Sequence, residues 1–515
     1  MKRSVVISAV CGALLLLASA LAIRRVEFPH EDFVVRSRGC STPVTMIAPP
    51  GAARGSAIVL HGLSANRRVM ITLGERLAAE ASLRIYLLDL AGHGDNADPF
   101  SFPRAEECAA ATVEQLVRDQ HLDPTRLALV GHSMGGAIAI RLADRFPVAA
   151  TIAISPAPMT LPKRAPANLL VFSAQYDLWP LQRQAEAIAD AAGPDRTTTV
   201  DFRQLRAFHL EFVPRASHTS IVIDSRVARQ AANWVEDSLE QARIREGTGG
   251  WTDEAPQSES LATLLASIAP FGGMVALLMM FPFALALTVR GGGSLQPEQS
   301  GARSAAWLAL AEGAVGSLAG VLLLRVGIPL KALRIYSGGY LASLLLIVGL
   351  LLLVFNRRAA NEAWKWRASK ALQAAMLGFA VMLAAGAWLN WRTADLWLGG
   401  ARWERFAAIL PVSFLFAFGE ETILGPVGNG RRRAARFVVA QLVRLELWLA
   451  CLLAFYVLAN GQAVIAILFM ALTTFSVLQR LGTDAIRHHT GSATAAAVFG
   501  AILTAWFIAA VFPLT

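Results

Sequence analysis

From Leu264 onward the chain is a succession of apolar runs, each close to the roughly 20 residues that an α-helix needs to cross about 30 Å of hydrocarbon. Eight spans are expected, near residues 265–289, 305–324, 338–355, 371–391, 406–424, 437–459, 462–479 and 493–513, with Glu420 and Glu421 making the fifth the weakest. A chain of 515 residues built this way is not a set of soluble domains. Charge divides it at the same place: residues 1–260 hold 55 charged side chains (21%) and residues 261–515 hold 29 (11%). The first part carries a net charge of −1 and the second +11, so the overall +10 belongs to the apolar part. Basic loops beside spans explain that excess, and no nucleic-acid partner is expected.

Orientation follows from those loops, because basic loops stay in the cytoplasm. With the first part outside, the inner loops hold 13 basic residues, among them Arg357, Arg358, Arg431, Arg432, Arg433, Arg436, Arg480 and Arg487. The outer loops hold six: Arg325, Lys331, Arg334, Arg392, Arg402 and Arg405. An extracytoplasmic first part in a bacterial inner membrane is expected. Lys2 and Arg3 before the uncharged run Ser4–Ile23 have the layout of a signal sequence. Residues 1–25 are long enough to remain as an anchor and carry Ala20-Leu21-Ala22 as a cleavage site, so both outcomes stay open. Cys11 and Cys451 sit in apolar runs. Cys40 and Cys108 are permitted to pair outside the cytosol, but the preferred expectation is two unrelated thiols.

Residues 26–246 alternate short β-rich apolar runs with helical stretches, the pattern of a mostly parallel sheet covered by helices on both faces. Strands are expected at Ser56–Leu60, Arg84–Leu88, Arg126–Val130, Thr151–Ile154 and Leu169–Phe172, with helices at Val69–Ala81, Arg104–Asp119 and Ala137–Phe146. Polar residues gather at the strand C-terminal ends, where open α/β sheets place their ligands. The strongest local signal is Gly131-His132-Ser133-Met134-Gly135, between a strand and a helix. A hydroxyl on a strained strand-to-helix turn projects from the sheet, and side chains two positions before and after it would collide, hence Gly131 and Gly135. The helix that follows aims its dipole and free amides at the site where negative charge develops.

On these residues the chain resembles the α/β-hydrolase superfamily, particularly its serine aminopeptidase and monoacylglycerol-lipase-like members, over about 190 residues. His61-Gly62-Leu63-Ser64 matches the His-Gly oxyanion loop, and Asp89-Leu90-Ala91-Gly92-His93-Gly94 an Asp-x-x-Gly-His-Gly turn. Gln175-Tyr176-Asp177 resembles the acid segment and Ala216-Ser217-His218 the histidine segment, in the family's chain order. One departure is Asp95-Asn96-Ala97, where family members often have Ser. The resemblance implies Ser133 as nucleophile, His218 as general base and Asp177 as its orienting acid. It also implies the backbone amides of Leu63 and Met134 as oxyanion hole, with His61, Gly62, Gly131 and Gly135 supporting elbow and loop. Independently of it, His209 lies in an alternating run where a strand histidine is expected, while His218 follows Pro214 in a small polar loop able to reach the site. For Asp177 the bland alternative is a helix N-cap before Pro180. His93 and His132 read as structural.

Only Ser155–Asn168 separates the strand after the elbow from the acid strand, too short and Pro-rich for a helical lid, so an open cleft is expected. Residues 197–214 could supply two strands. Residues 247–263 read as a linker, and 264–515 as an all-α polytopic membrane domain. Within the spans, Glu312, Glu420, Glu421, Arg444 and Glu446 are costly charges, and Arg444 is expected to pair with one of the adjacent carboxylates. Glu420-Glu421 faintly resembles the paired glutamates of intramembrane CAAX-type proteases. The Arg and the later His motifs of that pattern are missing, and metal ligation by His488 and His489 is not expected. No cofactor is implied. The expected function is a membrane-bound serine hydrolase cleaving an ester, thioester or amide of an acyl, lipid-like substrate. The alternatives are acyl transfer by the same triad and a non-catalytic hydrolase-fold module regulating a transporter or sensor.

Overall fold

The computed structural model describes residues 3–162, 166–192, 202–240, 261–289, 302–364, 367–428, 430–459 and 462–515. Most of the expected linker, 247–260, lies outside the described residues. Two compact units emerge. One comprises Ala18–Phe271 together with Leu389–Asp395 and Pro513–Thr515; the other comprises Met1–Leu17, Gly272–Trp388 and Leu396–Phe512.

The first unit is built on an eight-stranded sheet of order β1-β2-β4-β3-β5-β6-β7-β8. Its strands are β1 His30–Ser37, β2 Cys40–Ile47, β3 Gly55–Leu60, β4 Leu83–Leu88, β5 Leu127–His132, β6 Ala150–Ile154, β7 Leu169–Tyr176 and β8 Phe208–Ser217. Only β2 runs against the other strands, pairing antiparallel with both β1 and β4; β1 and β2 form a hairpin closed by Arg38 and Gly39, both at positive φ (50° and 74°), the conformation a two-residue turn requires. The five expected strands correspond to β3–β7, and residues 202–217 supply one strand, β8, among the described residues. Alternation along the strands sorts side chains to two cores. Ala57, Val59, Ile85, Leu87, Val130 and Ile152 meet helices α2 (Ile71–Glu80) and α6 (Ser225–Glu240) on one face. Ala153, Leu169 and Val171 meet α4 (Met134–Ala143) and α5 (Trp179–Ala192) on the other. Between Ser155 and Asn168 no helix occurs among the described residues.

Cys40 and Cys108 form a disulfide, which corrects the expectation of two unrelated thiols. Cys40 opens β2, and α3 (Phe102–Asp119) packs over β1 and β2 with Cys108 on its buried side, bringing their Cα atoms to 5.5 Å. The two non-contiguous segments are tied in by specific bonds. The guanidinium of Arg392 forms a buried ion pair with Glu75, with Nη1 3.0 Å from Oε1, and Leu514 exchanges backbone hydrogen bonds with Gly92 and Phe100.

Among the described residues eight helices are long and apolar enough to cross a membrane, seven of them after residue 260. In chain order they are α1 (Arg3–Arg24), α7 (Leu261–Thr288), α8 (Ala302–Leu323), α9 (Gly338–Phe355), α11 (Ala368–Arg392), α12 (Gly400–Leu424), α13 (Arg431–Tyr456) and α16 (Ala493–Val511), with the short α10 (Arg357–Ala363) after α9. In the second unit α1 packs on α7, where Ser8 Oγ donates to Met279 O at 2.8 Å. The run expected to span at 462–479 is instead α14 (Ala463–Ile467) followed by α15 (Phe469–Thr490), which is 22 residues long and carries Arg480, Asp484 and Arg487. Those charges are paired inside the bundle. Glu420 takes a two-point contact from Arg444, at 2.6 and 2.7 Å, and a third bond from Arg480 Nη1 at 2.9 Å. Glu421 binds Arg480 and Arg436, and Asp484 binds both of those arginines. The expected pairing of Arg444 with one of the two glutamates is thus with Glu420.

Candidate active site

Ser133 stands between the end of β5 and the start of α4 with φ 54° and ψ −116°, a backbone conformation that L residues avoid. The packing explains why the turn is so tight. A Cβ on Gly131 would lie 2.1 Å from Gly135 O, and one on Gly135 2.3 Å from Leu60 O. The Ser133 amide is spent on Ile154 O at 2.8 Å, which anchors the turn to the sheet. The Met134 amide opens α4, where no intrahelical acceptor exists for it.

Opposite the turn runs the loop His61–Ser64. A Cβ on Gly62 would meet Ser133 Cβ and His132 Nδ1, each at 3.0 Å, so only glycine lets this backbone approach so closely. Buried His61 fixes the loop: its Nε2 accepts from Leu90 N at 3.0 Å, so its Nδ1 carries the proton and donates to Gly62 O at 2.8 Å. Burial holds this imidazole below its ordinary pKa, which keeps the ring neutral. The Leu63 and Met134 amides have no backbone partner among the described residues.

Asp177 follows β7, past an irregularity in the β7–β8 register. Its side chain is fully buried, and Oδ1 lies 2.9 Å from Nδ1 of His218. The same oxygen accepts from Leu178 N at 2.8 Å. His218 is held in a turn after β8 by reciprocal bonds, Ser217 N to Ser220 Oγ at 2.9 Å and Ser220 N to Ser217 Oγ at 3.2 Å. Ser133 and His218 are both buried, at 3% and 7% exposure. His132 links them: next to Ser133 in the chain, it packs against His218 with ring centroids 4.7 Å apart and the planes tilted by 42°. His209 lies within β8 facing Glu211 at 3.3 Å and takes no part in this arrangement.

Residues that the sequence reading passed over support the loops from behind. Buried Arg67 donates from its backbone to Asp89 Oδ1 at 2.7 Å, pairs with the same carboxylate through its guanidinium, and reaches Thr45 and Asp95. Asp89 also accepts from Asp95 N at 3.0 Å, so one carboxylate joins the His61 and His93 loops. The only advance signal for this was Asp89 heading its turn motif. The carboxylates of Asp89, Asp95 and Asp395 lie close enough to share a cation, but the Arg67 guanidinium already bridges the first two.

A strained serine turn, a facing amide loop and a buried acid–imidazole pair on a mostly parallel sheet define an α/β-hydrolase fold. Residues 57–267 match the sequence model of the alpha/beta hydrolase family. Among curated proteins, the chain is 31% identical over 114 residues to a probable alcohol acetyltransferase of Saccharomyces cerevisiae, covering 22% of this chain and 33% of that protein. It is 34% identical over 98 residues to the dihydrolipoyllysine-residue acetyltransferase component of the acetoin cleaving system of Pseudomonas putida, covering 19% and 25%. The chain thus spans a third or less of the length of these relatives. Among solved structures, a Pyrobaculum calidifontis esterase is 17% identical with a TM-score of 0.34, covering 47% of this chain and 94% of the other.

Proposed function

We propose that this protein is a membrane-anchored serine hydrolase that cleaves an ester through an acyl-Ser133 intermediate. The observation that carries the reading is the strained turn at Ser133 together with the buried Asp177–His218 pair. In this reading His218 takes the hydroxyl proton as Ser133 attacks the carbonyl, and later gives it to the leaving alkoxide. Asp177 fixes the imidazole tautomer and stabilises the imidazolium. The amides of Leu63 and Met134 receive the developing oxyanion. Water then enters by the same route and releases the acid. The absence of a helical lid among the described residues favours a substrate whose reacting end projects from a larger, lipid-like molecule.

An extracytoplasmic hydrolase unit is supported by the Cys40–Cys108 disulfide, which oxidising compartments favour. The segments that unit recruits constrain the number of crossings, not their direction. Leu389–Asp395 and Pro513–Thr515 then share its side of the bilayer. Among the described residues four helices of membrane-spanning length lead from residue 260 to Leu389–Asp395, an even number, as that requires. The same parity at Pro513 requires α15 to cross as well, its charges neutralised by Glu420, Glu421 and Arg436. With the ion-paired Arg436, Arg480 and Arg487 set aside inside and Arg392 and Arg405 outside, the loop count is ten against four and keeps its direction. The packing of α1 on α7 favours a retained anchor over a cleaved leader.

Labelling of the full-length protein with a fluorophosphonate tests the reading. Ser133 is expected to react, and Ser133→Ala to abolish the label. A folded wild-type protein that stays unlabelled would leave a non-catalytic module instead. Acyl transfer to an alcohol is the second reading, supported by the likeness to a probable alcohol acetyltransferase; product analysis with added alcohols separates it from hydrolysis.

A further inference from the structure

The amide that the proposed mechanism takes from Leu63 belongs to the peptide bond between Gly62 and Leu63. In a planar trans peptide the C=O and N–H point in opposite directions, so whatever fixes Gly62 O also aims the Leu63 N–H. Two donors fix it: His61 Nδ1 at 2.8 Å, and Ala65 N, which closes the turn at 3.1 Å. Within that turn Ser64 sits at φ 60°, a conformation that its surroundings must maintain. The aim of the amide therefore depends on what holds the backbone before and after it.

Residues from beyond residue 260 hold both sides. After the turn, Asn66 lays its carboxamide along the backbone of Asp395: Oδ1 accepts from Asp395 N at 3.1 Å and Nδ2 donates to Asp395 O at 3.4 Å. Asn66 and Asp395 are both buried. The same Oδ1 caps the short helix Arg67–Met70 by accepting from Arg68 N at 3.1 Å. Asp395 lies in the segment that leads from α11 to α12, which Arg392 ties to Glu75. Before the turn, His61 Nε2 is held by Leu90 N, two residues from Gly92. Leu514 lies against Gly92: its N–H donates to Gly92 O at 3.0 Å, and a Cβ on Gly92 would come 2.5 Å from Leu514 O. We infer that Asn66 is a positioning residue for the oxyanion hole and that Leu389–Asp395 and Leu514 clamp the two loops that aim the Leu63 amide. The inference rests on the acyl-Ser133 reading and adds to it a dependence of catalysis on segments far from the triad in the chain.

Hydrolysis of 4-nitrophenyl butyrate by the full-length protein in lipid nanodiscs, expressed per site titrated with a fluorophosphonate, tests this, because unfolded molecules neither label nor turn over. Asn66→Ser keeps an oxygen able to cap the short helix but is too short to pair with both backbone groups of Asp395. It is expected to lower kcat about tenfold with KM little changed, less than the roughly 10²–10³-fold that outright loss of a donor costs. Inhibition by a trifluoromethyl ketone, whose adduct with Ser133 carries an oxyanion, should weaken by the same factor. Removal of residues 513–515 is expected to act in the same direction. Unchanged kcat per labelled site in Asn66→Ser would overturn the inference, and so would a loss in Asn66→Ala that Asn66→Ser restores in full, since the cap alone would then account for it. Should Asn66→Ser fail to fold, the shortened chain decides by the same measure. A wild-type protein that takes no label would instead overturn the acyl-Ser133 reading itself.

Discussion

Nε2 of His132 lies 2.9 Å from the backbone carbonyl oxygen of His218. That oxygen can only accept, so Nε2 of His132 carries a proton and donates it. Asp177 Oδ1 stands 2.9 Å from Nδ1 of His218 on one side of that residue, and His132 holds its backbone from the other. Complete burial and the neighbouring His218 keep the His132 imidazole well below its ordinary range, and burial does the same for His61.

Both imidazoles stay neutral in the folded chain below pH 6.5, where the unfolded chain takes up protons on them. The unfolded state therefore binds more protons, and stability falls as pH drops through and below 6.5. Each imidazole contributes up to about 1.4 kcal/mol per pH unit. Thermal unfolding followed from pH 7.5 to 5.5 is expected to show a falling midpoint, and His132→Asn, which keeps an amide donor but cannot titrate, a shallower fall. An identical slope in that variant contradicts the assignment.

Asp177→Asn keeps the shape of the acid but not its charge, and its amide disfavours the tautomer that His218 needs. On the proposed mechanism kcat is expected to fall about 10⁴-fold with KM little changed. Steady-state kinetics on a chromogenic ester checks this. A loss smaller than tenfold would point to another base.

The Cys40–Cys108 bridge links residues 68 apart in the chain, and a loop of that length stabilises mainly by restricting the unfolded chain. Cys40→Ser with Cys108→Ser is expected to cost about 2–4 kcal/mol. Chemical denaturation of the two forms measures it, and a mobility shift on reduction reports the bond itself. Unchanged stability would mean that the packing of α3 on β1 and β2 suffices alone.

The parallel strands and the elbow could be read in advance because each strand is a short apolar run that stops at a polar or glycine residue, as Leu127–Val130 stops at Gly131. The β1–β2 hairpin hides its role: β2 buries Thr42 and Thr45, which look like surface residues until the Thr112 hydroxyl and Arg67 are seen to meet them. Arg480 and Arg487 read as loop charges because their partners Glu420 and Glu421 lie on α12, far away in the chain. The break at Leu468 falls within an unbroken apolar run, and neither glycine nor proline marks it. The Cys pairing and the recruitment of Leu389–Asp395 depend on tertiary packing that no local pattern encodes.

The same recruitment yields the last prediction. Arg392 and Glu75 pair at 8% and 6% side-chain exposure, so neither charge can turn to water if its partner is removed. A buried charge left alone costs about 3–5 kcal/mol, whereas replacing both members by apolar residues of similar volume is often neutral. Glu75→Met and Arg392→Met are therefore each expected to lower the unfolding midpoint of the first unit, and the double variant to recover most of the loss. Limited proteolysis gives a second readout, because the chain around Leu389–Asp395 should become cleavable in either single variant and be protected again in the double. Additive losses in the double variant would show that the two side chains act separately, and that other contacts, such as Asp395 N to Asn66 Oδ1 at 3.1 Å, hold this segment in place.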